Sequence, residues 1–313
     1  MKKILFNLLM ASAAMHAIAQ DGAVKSLKAD AEKGIIKDAA DTASKTWKKG
    51  GMFSLNVNQG SLSNWSAGGD KFSFSLNAFL NTYAFYKKDR HSWDNNLDLA
   101  YGVINTTSLG NRKASDRIEF TTKYGYALKK KLNLALLGNV RSQFAKGYAY
   151  LKDVSGKDSA SLTSKSFSPT YALLSLGLDY KPNDDLSLFF SPVTGRWVIA
   201  GDPVIGPLYG VPVGKKAKSE FGAYFSANYL KKISTNMTYK GKLDLFSNYR
   251  SNPQNIDIFF SNVLTAKISK YINFSLNLDI IYDDDTKNVN PAKGPEPQIL
   301  QLMGIGFAYK FNK

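Results

Sequence analysis

The chain has no cysteine, which excludes disulfides, thiolate metal sites, a cysteine nucleophile and a lipid-modified N-terminal cysteine. Histidine is almost as scarce: there are two, His16 and His91. Acids are few as well, with 25 Asp+Glu against 41 Lys+Arg and a net charge of +16. No run of 18 consecutive apolar residues occurs, so no helix crosses a bilayer. Yet the 313 residues are 44% hydrophobic and 13% aromatic, too apolar for a disordered chain, and that surface must be covered by something.

Residues 1–19, MKKILFNLLMASAAMHAIA, carry a basic start at Lys2 and Lys3 and an apolar stretch from Ile4 to Met15. Ala17-Ile18-Ala19 then forms a small-x-small cleavage site, so a removed signal peptide is predicted, and the chain is expected to be exported. His16 leaves with it, and His91 is the one mature histidine. Residues 20–50 are rich in Ala, Lys and Asp. Leu27, Ile35, Ile36, Ala39, Ala43 and Trp47 fit a weakly amphipathic helix or linker in the periplasm, stopped by Gly50-Gly51. A plug entering a barrel is the alternative for this segment.

From residue 51 to residue 313 the period becomes two. Between Lys71 and Tyr86, Phe72, Phe74, Leu76, Ala78, Leu80, Ala84 and Tyr86 share one face, opposed by Ser73, Ser75, Asn77, Asn81 and Tyr83. Sixteen alternating residues make a strand ~50 Å long, more than globular strands usually need. The pattern recurs to give about twelve strands. Connections alternate between short, lysine-marked turns (87–90, 129–131, 181–185, 231–234, 270–271) and longer ones (59–70, 106–115, 146–168, 201–218, 251–254, 283–297). A β-sandwich has no reason to sort its loops this way. A transmembrane antiparallel up-and-down β-barrel does, with tight periplasmic turns and longer outer loops. Tyr86, Trp93, Tyr126, Tyr180, Tyr229, Tyr271, Tyr309 and Phe311 fall at the turn-side strand ends, where an interfacial girdle belongs.

Several motifs point to a family. WKKGGMFSLNVNQGSLSNWSAGGD (Trp47–Asp70), DLFSNYR (Asp244–Arg250), IIYDDD (Ile280–Asp285) and GIGFAYKF (Gly304–Phe311) resemble a Bacteroidota family of outer-membrane barrels catalogued as a domain of unknown function. So do Tyr101-Gly102, Gly147-Tyr148 and the Ser-Pro pairs at 168–169 and 191–192. The resemblance spans Trp47 to Phe311 and implies residence in the cell outer membrane. It implies no activity.

The chemistry on offer is narrow. A barrel hydrolase needs an imidazole beside its serine, and His91 falls in a turn, so no enzyme is expected. Asp283 and Asp285 share a strand face and can ligate Ca²⁺, but their spacing matches no calcium loop, and hydrated loop acids are the plainer reading. Trp65, in the first outer loop beside Gly68-Gly69, packs on the loop or stacks on a sugar. No cofactor motif occurs. The positive charge is scattered, so lipid and lipopolysaccharide headgroups, or other envelope proteins, are the expected partners, and nucleic acid is not.

The inward faces are expected to hold a mixed charge network: Asp98, Arg117, Glu119, Lys123, Arg141, Lys240, Lys242, Asp244, Asp257, Lys267 and Asp279. Closing one hairpin around Lys130 sets Glu119 opposite Arg141, and a contact between them is expected. Closing the preceding hairpin near Gly110 sets Asp98 opposite Lys123. Two functions compete: a narrow channel for small solutes, and a structural or accessory subunit of an outer-membrane assembly with a plugged lumen.

Overall fold

Alternation of apolar and polar residues decides the secondary structure, because a strand with two different environments on its two faces needs it. The computed structural model describes residues 46–61, 72–152, 158–282 and 296–312. The segments 1–19 and 20–45, together with Trp65, Asp283 and Asp285, lie outside the described residues.

Among the described residues, fourteen strands are formed. The first five are β1 (Trp47–Ser61), β2 (Phe72–Lys88), β3 (His91–Thr106), β4 (Gly110–Lys129) and β5 (Leu132–Ser142). A small hairpin of β6 (Gly147–Lys152) and β7 (Asp158–Ser164) follows, separate from the main sheet. The chain then returns with β8 (Thr170–Tyr180), β9 (Leu186–Ile199), β10 (Ala217–Lys232), β11 (Met237–Asn248) and β12 (Ile256–Lys267). It ends with β13 (Ile272–Tyr282) and β14 (Gln298–Asn312). Twelve of these close into an antiparallel barrel in chain order, with β5 beside β8 and β14 pairing back onto β1. Closure pairs the two end strands over Gly50–Leu55 and Phe307–Asn312.

The faces follow the alternation. On β3, Leu97, Leu99, Tyr101 and Val103 point outward, whereas Asp98 and Ala100 point inward and are buried. Exposed Phe120, Leu134, Leu136, Leu174, Leu176, Phe190, Ile258 and Phe260 continue the apolar outer surface from strand to strand. At the tight-turn end, Trp47 packs on Tyr86 and Trp93, with ring centroids 5.1 and 6.1 Å away.

Three expectations change. The first strand starts at Trp47, not residue 51, so residues 47–50 belong to the barrel and not to the preceding segment. Gly50-Gly51 stops nothing. It lies within β1 where the chain is crowded, and a Cβ on Gly51 would come within 2.4 Å of the Asn81 carbonyl and 2.5 Å of the Phe311 ring. Second, the long connection expected at 106–115 is a tight turn from Thr106 to Gly110, made possible by the positive φ of Gly110 (61°). An extra residue at Ala114 then shifts the register.

The third change concerns β9, which runs on to Ile199 well past Pro192. Pro192, with no N–H for the ladder, is the extra residue of a bulge: with Val193 it faces the single Ala223 of β10, and with Ser191 the single Gly177 of β8. Ser191 Oγ stitches this bulge, its one proton lying between the carbonyls of Leu176 and Val193, both 2.8 Å away. Phe189 and Ser191 face inward before the bulge, and Thr194 and Arg196 after it, so the bulge inverts the parity of the strand.

Candidate functional site

The inner wall is the candidate site, and neutralised charge dominates most of it. Asp98 is 1% exposed and accepts a hydrogen bond from Asn81 Nδ2 at 2.6 Å. Its register partner is Glu119, while Lys123 stands opposite Asp94, four positions from the expected pairing, because the hairpin turns earlier than the sequence suggests. Two carboxylates set opposite each other repel. Buried Arg117 offsets this, with Nη1 3.7 Å from Glu119 Oε2, and Asn139 Nδ2 donates to Glu119 Oε1 at 2.8 Å.

Glu119 and Arg141 are register partners, as the hairpin arithmetic requires. The expected contact between them is replaced: Arg141 lies over the Tyr171 ring, 5.0 Å from its centroid, while Glu119 turns to Arg117 and Asn139. Tyr171 is directly opposite Arg141 on β8, so the planar guanidinium has an aromatic face within reach in the same row.

Lys123 reaches past β5 to Asp179 on β8, at 3.2 Å, and Asp179 also accepts from Ser187 Oγ at 3.0 Å. Lys242 pairs with Asp244 at 2.8 Å and lies 5.5 Å from the Phe259 ring centroid. Asp279 accepts from Ser261 Oγ at 2.6 Å. Lys240 stands opposite Val263 on β12, and Lys267 is exposed at the tight-turn end of the same strand.

The strongest cluster centres on a residue absent from the expected network. Arg196 pairs through Nε with Glu220 on β10 and through Nη2 with Asp257 on β12, the latter at 2.8 Å. Its guanidinium lies 4.1 Å from the Phe246 ring centroid, and Lys218 adds a second cation at 2.8 Å from Glu220. Period-two counting from Phe189 puts Arg196 on the lipid face. The one available signal was Pro192, which interrupts the ladder.

Asp116 and Lys113, also missed, tie down the outer rim. Asp116 accepts the amides of Phe144 and Ala145, both at 2.7 Å, and pairs with Lys113 at 2.7 Å. Above it, the segment after β9 folds inward. Ile205, Val211 and Ala200 bury one another and pack with Leu162 and Tyr209. Tyr209 donates to the Thr163 carbonyl at 3.0 Å and meets Tyr171 edge-on. Lys165 holds Asp202 at the base of this segment. The Asp202 carboxyl, which also accepts the Val204 and Ile205 amides, titrates below the ordinary carboxylate range, chiefly through the Lys165 hydrogen bond.

His91 Nδ1 sits 2.5 Å from the Tyr124 hydroxyl on the exposed turn side, where it packs on Tyr126. Among the described residues, no group of three or more His, Cys, Asp or Glu is arranged to hold a metal.

Residues 57–148 match a family model described as "Protein of unknown function (DUF3078)". That stretch runs from within β1 to the start of β6. No curated protein matches the chain. The fold is similar to the NanC porin, at 8% identity over 83% of this chain and 97% of that one, with a TM-score of 0.35. It is also similar to the toluene transporter TbuX of Ralstonia pickettii, at 11% identity over 85% and 88%, with a TM-score of 0.30. A third is the β domain of the Bordetella autotransporter BrkA, at 10% identity over 85% and 99%, with a TM-score of 0.34.

Proposed function

We propose that the protein is an outer-membrane barrel that conducts small solutes through a narrow, partly filled lumen, after export by a cleaved signal peptide. The observation that carries this reading is the outer surface. A closed barrel that exposes Leu99's whole row of apolar side chains, with aromatics gathered at the tight-turn rim, is stable only against lipid. The resemblance of the Trp47–Asp70 and Gly304–Phe311 motifs to exported Bacteroidota barrels supports the same residence. The basic tight turns, Lys87, Lys88, Arg90 and Lys129 to Lys131 among them, would meet phospholipid headgroups, each cation gaining about 1 kcal/mol near an anionic surface.

The interior supports narrowness. Arg117, Asp98, Asp179, Glu220 and Asp279 are all no more than 5% exposed, which an open aqueous pore would not allow for inward side chains. The same filling favours the second reading, a structural or accessory subunit with no transport. Incorporation of the purified protein into planar bilayers separates the two. Steady small conductance supports the channel, and silence together with a co-purifying envelope protein supports the accessory role. Sidedness is tested with cysteines in the otherwise Cys-free chain: Val213→Cys, in the longer loop after β9, should react with an impermeant maleimide on whole cells, and Asn183→Cys should not.

A further inference from the structure

One part of the inner wall carries no charge. Where the two ends of the chain close the barrel, strands β13, β14, β1 and β2 contribute a strip of carboxamides, hydroxyls and glycines that leaves out the inward Asp279 of β13. Asn77 stands opposite both Gly102 and Asn56, and Gly306 opposite Asn273. Asn56 and Gly306 touch: a Cβ on Gly306 would fall 1.6 Å from Asn56 Oδ1. The row Gly102, Asn77, Asn56, Gly306, Asn273 is therefore continuous across five strands. A parallel row sets Ser75 opposite Asn58 and Ser275 opposite Gly304.

Two properties distinguish this strip. It descends from one mouth to the other: Gly102 lies near the longer-loop end of β3, and Asn273 is the second residue of β13 at the tight-turn end. Strand tilt makes a hydrogen-bonding row oblique to the barrel axis, so a row can cross the wall this way. Its side chains also lie flat. Asn56 occupies the notch at Gly306. Asn77 occupies the notch at Gly102, where a Cβ would meet its Oδ1 at 2.0 Å. Side chains laid into glycine notches leave the lumen in front of them open, and Asn56, Ser75, Asn77 and Asn273 are all partly exposed. The charged residues of the remaining wall are instead held by one another, as in Lys123–Asp179 and Arg196–Glu220–Asp257.

We infer that this strip is the solute track, and that it suits small uncharged, hydroxyl-bearing solutes such as polyols and monosaccharides. The inference rests on the channel reading above. Carboxamides and hydroxyls both donate and accept, so they exchange hydrogen bonds with a sliding hydroxyl group without a charge to desolvate. An anion would find the cations of Lys123, Arg196, Lys218 and Lys242 already occupied by carboxylates, in spite of the chain's net positive charge.

Proteoliposome swelling with the full-length protein tests this, using erythritol and arabinose against gluconate. Wild type should admit the neutral solutes several-fold faster than gluconate. Asn77→Asp, isosteric and so compatible with assembly, should slow arabinose several-fold and shift ion selectivity toward cations in bilayer recordings. Gly306→Leu should block both if its heat-modifiable mobility shows that it assembles. Equal entry of gluconate and arabinose would overturn the solute class. Arabinose entry untouched by Asn77→Asp, and by Asn273→Leu as a second probe, would overturn the track while leaving the channel standing. Absence of swelling with every solute would instead remove the channel reading on which the track depends.

Discussion

Arg196 on β9 and Asp257 on β12 are joined by a 2.8 Å ion pair although two strands separate them in the wall. Three strand spacings are ~14 Å along the wall. The guanidinium therefore leaves the wall and passes in front of Phe246, 4.1 Å from its ring centroid. It ties three strands together across a chord of the lumen, with Glu220 as the third partner. Removing it leaves Glu220, 5% exposed, and Asp257 without their shared cation.

Arg196→Ala should accordingly cost about 3 kcal/mol, the lower end for a broken buried pair because Asp257 is partly hydrated. Arg196→Lys should recover only part of it, since one ammonium cannot serve two carboxylates and stack on a ring in the same pose. The temperature at which the folded band disappears on heat-modifiability gels measures this. Equal stability of wild type and Arg196→Ala would show that the chord contributes nothing.

Leu99→Arg should impair assembly by roughly 2–4 kcal/mol, the cost of a cation on the lipid face at mid-depth. Ser75→Arg, on an inward and partly exposed position, should assemble. Ala100→Arg does not serve as the lumen control that its parity suggests, because Ala100 is 4% exposed and packed on Phe79 and Met52. It too should fail, through overpacking. The folded fraction recovered in detergent separates the three variants.

Arg141→Ala should destabilise by no more than about 2 kcal/mol, the upper range for a desolvated cation over a tyrosine ring. A double-mutant cycle should find coupling between Arg141 and Tyr171, and little between Arg141 and Glu119, although the latter pair share a register row. A larger Glu119 coupling would show that the two side chains meet after all.

The segment 200–216 should stay anchored well into acid. Asp202's carboxyl is depressed by its Lys165 hydrogen bond, so its contribution is complete above the unfolded-state value near 3.9 and is lost only as pH falls through the lower folded value. Protease cleavage of this segment should be unchanged between pH 7 and pH 5 and rise only below the ordinary carboxylate range. Asp202→Asn should be cleaved faster at neutral pH. Loosening of the wild type already at pH 5 would contradict the assignment.

The sequence by itself determined the barrel: its twelve strands, the order of neighbours and which face of most strands meets lipid. These depend on period-two patterning and loop length, which are local properties that a chain displays without folding. It also placed Glu119 opposite Arg141, a pairing the structure keeps through an extra residue at Leu128, since the closing pair Lys129–Leu132 alone would set Glu119 opposite Ser142. The tertiary structure decided the rest. Whether 106–115 is loop or strand depended on the left-handed conformation of Gly110, which permits a turn of three residues where polarity implies a connection of ten. A single extra residue at Pro192-Val193 moved Arg196 from the lipid face to the lumen. Which charges meet was set by side-chain reach across the curved wall: Arg141 found Tyr171, Lys123 found Asp179 and Arg196 found Asp257. Register arithmetic places backbones side by side, whereas a long side chain takes its partner from the next strand, as Arg141 does, or from two or three strands away, as Lys123 and Arg196 do. Curvature of the wall brings the more distant partners within a long side chain's reach.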